Sequence, residues 1–221
     1  MTDRVLIVMD DAFELSTIGA ALKLHGTDVV GEAKKESTAI SLMRSMQPNV
    51  LLIDMHLSDE SSIAIAKSIR KENSSIGVVM LVACADFRLI GQLNSDIPIG
   101  TKIVLKNSIN NISCLCDVIS DSRNLDQNHP VTWVNGNTAV HEKALQNLMS
   151  GLSDIQIETL RLIASGLTNA EIGRVRYVSE KSVEQIVSRI ALALNDQPDR
   201  SRNMRVMLVG EYFKWIGAPK Y

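Results

Sequence analysis

The sequence predicts an α/β domain followed by an all-α domain: a doubly wound parallel sheet of five strands joined to a small helix-turn-helix. Three observations predict it. Apolar runs of strand length recur through the first half, with helical spacing between them. Three helix starts crowd into residues 152–194, each marked by a capping residue. Between the two patterns, residues 121–137 are rich in Asn, Asp and Gly and read as a connector. A length of 221 residues suits two modest domains. A composition 45% apolar but only 4% aromatic suits cores packed from Leu, Ile, Val and Ala.

The strand runs are Val5-Leu6-Ile7-Val8-Met9, Val50-Leu51-Leu52-Ile53, Val78-Val79-Met80-Leu81-Val82 and Ile103-Val104-Leu105, with a weaker one at Asp28-Val29-Val30. They are continuous rather than alternating, which is what strands covered on both faces of a parallel sheet require. Helical patterns fall near residues 12–25, 37–46, 60–72, 86–93 and 109–120. Strict alternation of strand and helix gives a doubly wound domain, with the flavodoxin-like order 2-1-3-4-5 expected.

Such sheets place their chemistry just beyond the carboxyl ends of the strands. Those ends carry Asp10 and Asp11 after the first strand, Asp54 after the third and Lys106 after the fifth. Alone, Asp10 and Asp11 would read as a solvated turn and Asp54 as a helix cap. Three carboxylates converging on one edge repel one another, so a cation is expected among them, and oxygen-only ligands favour Mg²⁺. With two acids so neutralised, the third can attack phosphorus and form an aspartyl phosphate. Lys106 would then meet a phosphoryl oxygen as a point charge.

In the second half, Ser153 with Gln156, and Thr168 with Glu171, fit capping boxes ahead of apolar-periodic runs. Ser165-Gly166-Leu167 leaves room only for a tight turn. A third helix starts at Ser179, with Val183, Ile186, Val187 and Ile190 as its apolar stripe. Three short helices with a tight turn before the last make a helix-turn-helix, whose final helix enters the major groove. The run Leu152-Ser153…Leu160-Arg161-Leu162-Ile163-Ala164-Ser165-Gly166-Leu167-Thr168-Asn169-Ala170-Glu171-Ile172…Val178-Ser179-Glu180-Lys181-Ser182-Val183 resembles the LuxR-type DNA-binding domain. The resemblance implies that Glu184, Gln185 and Ser188 face the groove, where Glu accepts from cytosine and Gln pairs with adenine. Lys181, Ser182, Arg189 and the helix start at Thr168 and Asn169 are then placed for phosphates. Arg176, standing where an apolar residue is usual, would add another phosphate contact. The departures are Glu184 where Lys or Arg is usual, Ile186 where His is usual, and Ser188 where Lys is frequent.

The strand-end cluster resembles the receiver domain of two-component response regulators over residues 3–120. By that resemblance Asp54 is the phosphoacceptor, Asp10 and Asp11 are metal-binding acids, the backbone carbonyl of His56 is a further metal ligand, and Lys106 contacts the phosphate. Val82 stands where the family has Ser or Thr, and Ile103 where it has Tyr or Phe. Both switch positions are atypical. A hydrogen bond to a charged group contributes about 1.5–3 kcal/mol, so the missing hydroxyl weakens phosphate-driven switching by roughly ten- to a hundredfold. The loop after the phosphoacceptor also departs, reading Ser58-Asp59-Glu60-Ser61 in place of a Pro- and Gly-bearing motif.

Together the two resemblances imply a NarL/FixJ-type response regulator, with Val-Leu-Lys-Asn-Ser-Ile and Ser-Glu-Lys-Ser-Val-Glu-Gln closer to an actinobacterial subgroup. They imply a receiver at 1–120, a partly helical linker at 121–147, a LuxR-type domain at 148–216 and a tail at 217–221. They further imply a sensor histidine kinase as phosphate source, promoter DNA as ligand and a homodimer as the binding form. The alternative is a regulator independent of phosphorylation, whose receiver is a protein-interaction or dimerisation module.

The remaining features limit other classes. Residues 1–120 hold 11 basic against 14 acidic residues and residues 151–221 hold 10 against 8, a slight tilt toward a polyanion at the back. Cys84, Cys114 and Cys116 give no disulfide framework, which suits a reducing cytoplasm. No apolar run is long enough to span a membrane, and no signal-peptide pattern opens the chain. A glycine-rich phosphate loop, a Ser/His/Asp order and His/Cys metal spacing are all missing, so a turnover enzyme is not expected. Thr138 is expected to cap a helix through Met149, Trp133 to pack on a neighbour, and His129 to be a loop residue. A last helix near 201–216 carries a Met-aromatic stripe, read as core or dimer surface.

Overall fold

The computed structural model describes residues 2–57, 61–84, 86–92, 94–124, 131–134, 151–194 and 203–216. The loop at 58–60, the expected helix from Thr138 to Met149, His129 and the tail at 217–221 lie outside them. The chain divides into two compact units, Met1–Ala83 with Asn94–Asn137, and Cys84–Leu93 with Thr138–Tyr221.

In the first unit, β1 (Arg4–Val8), α1 (Ala12–Leu24), β2 (Asp28–Ala33), α2 (Glu36–Met46), β3 (Val50–Asp54), α3 (Ser62–Glu72), β4 (Gly77–Val82), β5 (Thr101–Leu105), α4 (Ile112–Asp121) and β6 (Val131–Val134) follow in order. The sheet order is β2-β1-β3-β4-β5-β6 and every pair is parallel. Residues 5–8, 50–53 and 78–82 are fully buried, as continuous apolar strands covered on both faces must be. Asp11, Ser61 and Asn111 cap α1, α3 and α4 by accepting backbone N–H groups of their first turns. The expected order holds for five strands, and a sixth corrects the count. Val131-Thr132-Trp133-Val134 pairs with β5 and puts Trp133 beside Ile103. Four half-buried residues inside a polar connector are too few to show a period; the unpaired edge of β5 makes them a strand.

The described residues 86–92 do not form the α-helix expected near 86–93. Asp86 caps a 3₁₀ turn over Phe87–Ile90, and Gly91, at φ 73°, ends it in the left-handed region. This segment packs with the helical unit. Cys84 and Leu89 share an apolar cluster with Leu152, Ile157, Leu160 and Trp215. The Tyr212 hydroxyl donates to the Leu89 carbonyl at 2.8 Å, and Arg88 donates to the Leu152 carbonyl at 3.1 Å and to Asp154 at 2.8 Å.

The helical unit contains α5 (Asp154–Ala164), α6 (Asn169–Arg176), α7 (Glu180–Ala193) and α8 (Met204–Trp215). Ser153 and Gln156 complete a reciprocal capping box. Thr168 accepts from the Glu171 N–H at 3.2 Å, but the Glu171 carboxylate turns to Arg174 instead of back to the cap. Ser179 accepts the Ser182 N–H at 3.1 Å and so opens α7. In the turn before α7, the place of a Cβ on Gly173 is 2.7 Å from the Val178 carbonyl, so only glycine lets α6 approach that backbone. Leu208, Tyr212 and Trp215 of α8 are core, while Val206 and Phe213 of the same helix are exposed.

Candidate functional site

Asp54 ends β3 and is 3% exposed, so its charge needs a partner. Lys106, just past β5, supplies it: Nζ lies 2.7 Å from Asp54 Oδ2 and 2.8 Å from Glu14 Oε2. The backbone N–H of His56 donates to Asp54 Oδ1 at 3.0 Å. Burial alone would lower Lys106, yet its bonds to Asp54 and Glu14 hold it above the ordinary lysine value. Ser62 Oγ donates to the Asp54 carbonyl at 2.6 Å and ties the start of α3 to the end of β3. Glu14 and Ser62 were not among the residues expected here. The only signal for Glu14 was its place three residues after Asp11, the spacing of a capped first turn.

Of the expected metal-binding acids, Asp11 is engaged as the cap of α1, accepting the Glu14 N–H at 2.7 Å. Asp10 and Asp54 both act electrostatically on the His56 ring, which burial nevertheless holds below the usual histidine pKa. Both ring nitrogens of His56 are buried without a hydrogen-bond partner among the described residues. Also among the described residues, no three His, Cys, Asp or Glu side chains converge closely enough to hold a metal unaided. The expected donors at this edge are hard oxygens: the carboxylates of Asp10, Asp11 and Asp54 and the His56 carbonyl. That set fits a cation which keeps several waters, as Mg²⁺ does. Val82 and Ile103 are fully buried in β4 and β5 and bring no donor.

On α7, Lys181, Glu184, Gln185, Ser188 and Arg189 are all exposed, while Val183 and Ile190 are buried in the core behind them. The Ser182 and Ser179 hydroxyls are 2.8 Å apart, so Ser182 is half-occupied by the cap. Asn169 Oδ1 takes a bond from Arg205 Nη1 at 2.7 Å, which brings a cation from α8 to the start of α6 that the sequence reading missed. Arg176 departs from expectation. Its guanidinium turns inward, donating to Thr159 Oγ1 at 2.8 Å and pairing with Glu158 at 3.1 Å, with a side chain only 12% exposed. The reason is local: Thr159 is fully buried on α5 and offers a polar partner where an aliphatic side chain would otherwise pack.

Comparison with known proteins agrees with this fold. Residues 5–94 match the response regulator receiver domain. The chain is 27% identical over 208 residues to the response regulator protein VraR of Staphylococcus saprophyticus, covering 91% of this chain and 94% of that protein. It is 27% identical over 205 residues to VraR of Staphylococcus aureus strain NCTC 8325, with the same coverage. The solved complex of the two-component response regulator RcsB with DNA shares the fold with a TM-score of 0.56 at 20% identity, covering 98% of this chain and all of that one. A structure of two RcsB dimers bound to two parallel DNAs gives 0.52 at 19% identity, covering 99% of this chain and all of that one. Asp54 and its lysine thus stand at the carboxyl edge of a sheet whose residues 5–94 are similar to the response regulator receiver domain.

Proposed function

We propose that this chain is a two-component transcription regulator: Asp54 accepts a phosphoryl group from a partner histidine kinase, and the helical unit binds promoter DNA as a homodimer. The observation that carries the reading is the Lys106–Asp54 contact at 2.7 Å, which pairs a buried carboxylate with an ammonium at the strand edge. Asp54 Oδ attacks phosphorus, a P–O bond forms, the P–N bond to the donor histidine breaks, and the imidazole leaves with the electron pair. Lys106 then exchanges its bond with Asp54 for one with a phosphoryl oxygen, Glu14 keeping it in place meanwhile. Asp10, Asp11, Asp54 and the His56 carbonyl would hold Mg²⁺, which neutralises charge on the phosphoryl oxygens when bound. Asp11 also fixes the start of α1 through Oδ1, which leaves its other oxygen for the metal. The domain is a phosphate acceptor rather than a turnover enzyme.

On DNA, Lys181 and Arg189 meet phosphates while Glu184, Gln185 and Ser188 face base edges. Thr168 and Asn169, at the start of α6, sit where a helix N-terminus meets a phosphate, and a dimer would read two half-sites about one helical turn apart. VraR, at 27% identity over nearly the whole chain, and the RcsB–DNA complexes support this assignment. No described helix is long and apolar enough to cross a membrane. Incubation with a small phosphodonor and Mg²⁺, followed by mass measurement, should give one phosphoryl adduct that Asp54→Ala abolishes; no adduct would remove the phosphoacceptor assignment. Selection from a random duplex library should enrich a sequence, and Lys181→Ala with Arg189→Ala should weaken binding to every duplex.

A second reading is favoured by Val82 and Ile103, which leave both switch positions without a hydroxyl. In it the receiver is a protein-interaction or dimerisation module and phosphorylation is not required. An Asp54→Ala protein with unaltered DNA affinity and output would select this reading over the first.

A further inference from the structure

We infer that the His56 imidazole is a phosphoryl-contacting group, donating a ring N–H to the oxyanion carried by Asp54 and supplying the hydrogen bond that Val82 cannot. The inference rests on Asp54 being the phosphoacceptor. Its own ground is the state of the ring. His56 lies two residues after Asp54, and its backbone N–H is already bonded to Asp54 Oδ1, which draws the residue toward the carboxylate. The ring lies within electrostatic reach of Asp54, Lys106 and Asp10, the charged groups of this edge. Both of its nitrogens are buried, and neither has a hydrogen-bond partner among the described residues.

A buried N–H left without an acceptor is costly, and native structures rarely keep one unless a ligand or water takes it. A tetrahedral oxyanion on Asp54 brings three acceptor oxygens to this place. Lys106 satisfies one. The two strand positions that could have offered hydroxyls, Val82 and Ile103, are apolar and fully buried. His56 is thus a side-chain donor at this edge that has no hydrogen-bond partner among the described residues. A neutral imidazole always carries one N–H, so the contact needs no protonation change.

The test uses the full chain and beryllofluoride with Mg²⁺, an equilibrium stand-in for the phosphoryl group, followed by tryptophan fluorescence or calorimetry. His56→Leu and His56→Met should bind beryllofluoride roughly ten- to a hundredfold more weakly than the natural chain, the value of one hydrogen bond to a charged group. His56→Gln, which keeps an N–H of similar reach, should recover most of the loss. Two apolar variants of different shape guard against one failing to fold. Mg²⁺ affinity without beryllofluoride, measured with the same proteins, should stay within a few-fold. Equal beryllofluoride affinity in all variants overturns the inference while leaving Asp54 as acceptor. A loss confined to Mg²⁺ affinity also overturns it, since the ring would then serve the metal. Failure of the natural chain to bind beryllofluoride removes both the inference and the phosphoacceptor reading.

Discussion

Arg176 offers the sharpest separation between what its position in the motif implies and what its contacts show. A phosphate-contacting arginine, cut back to alanine, would leave the fold's stability unchanged and lower the salt dependence of DNA binding by about 0.9 in slope. The structure predicts the reverse. Arg176→Ala removes a hydrogen bond to the fully buried Thr159 hydroxyl, contributing about 1 kcal/mol. It removes a pair with Glu158, whose side chain is 44% exposed, so screening limits that pair to about 0.5 kcal/mol. The aliphatic stem, in a side chain only 12% exposed, adds roughly another 1 kcal/mol of packing. The total is about 2–3 kcal/mol, which for a unit of this size lowers Tm by roughly 10–20 °C. The assay is thermal unfolding by circular dichroism, read with hydrogen exchange of α5 and α6, alongside DNA affinity at two salt concentrations. An unchanged Tm with a slope reduced by one unit would refute the inward assignment. Arg176→Leu should recover part of the stability, because an apolar side chain can fill the same volume beside α5.

Further perturbations follow from single contacts. Lys106→Ala leaves the Asp54 carboxylate, 4% exposed, without its cation and should cost about 3–5 kcal/mol in denaturant unfolding, with Asp54→Asn in the same chain restoring much of it. Gly77→Ala places a Cβ 2.7 Å from the Ser122 carbonyl, so β4 and the end of α4 must shift at a cost of about 1–3 kcal/mol, read by urea titration. Burial pushes the Cys84 thiol up to about 11 from 9.0. The folded state therefore holds that proton longer than the unfolded one, and stability present below pH 9 should fall by roughly 3 kcal/mol as pH rises to 11. Under native conditions a thiol reagent should label the exposed Cys114 well before Cys84. Tyr212→Phe frees the buried Leu89 carbonyl and should cost about 1–3 kcal/mol, with faster amide exchange around Phe87–Ile90.

Much of the molecule is legible in the chain alone, because its cause is local. Continuous runs such as Val78–Val82 can be buried only on both faces, so strand identity and the order of the first five strands follow from pattern. Ser153, Thr168 and Ser179 name their helix starts through hydrogen bonds spanning three residues. The carboxyl-edge cluster of Asp54 and Lys106 follows from topology, since parallel strands end on the same side. What spacing cannot express is which partner a polar group finds across the fold. Asp11 reads as a metal acid, and one of its carboxylate oxygens also caps the first turn of α1. Glu14 meets Lys106 across 92 residues of sequence, Arg176 turns to a buried threonine on another helix, and Arg205 reaches Asn169. The short run at Val131–Val134 becomes a strand only because β5 has a free edge, and Phe87–Ile90 tightens into a 3₁₀ turn between Asp86 and Gly91. Sequence by itself determined the first five strands, the capped helix starts and the residue types at the strand ends, whose energies are local. Tertiary structure decided the pairing of charges and buried polar groups, because that depends on distances no periodicity encodes.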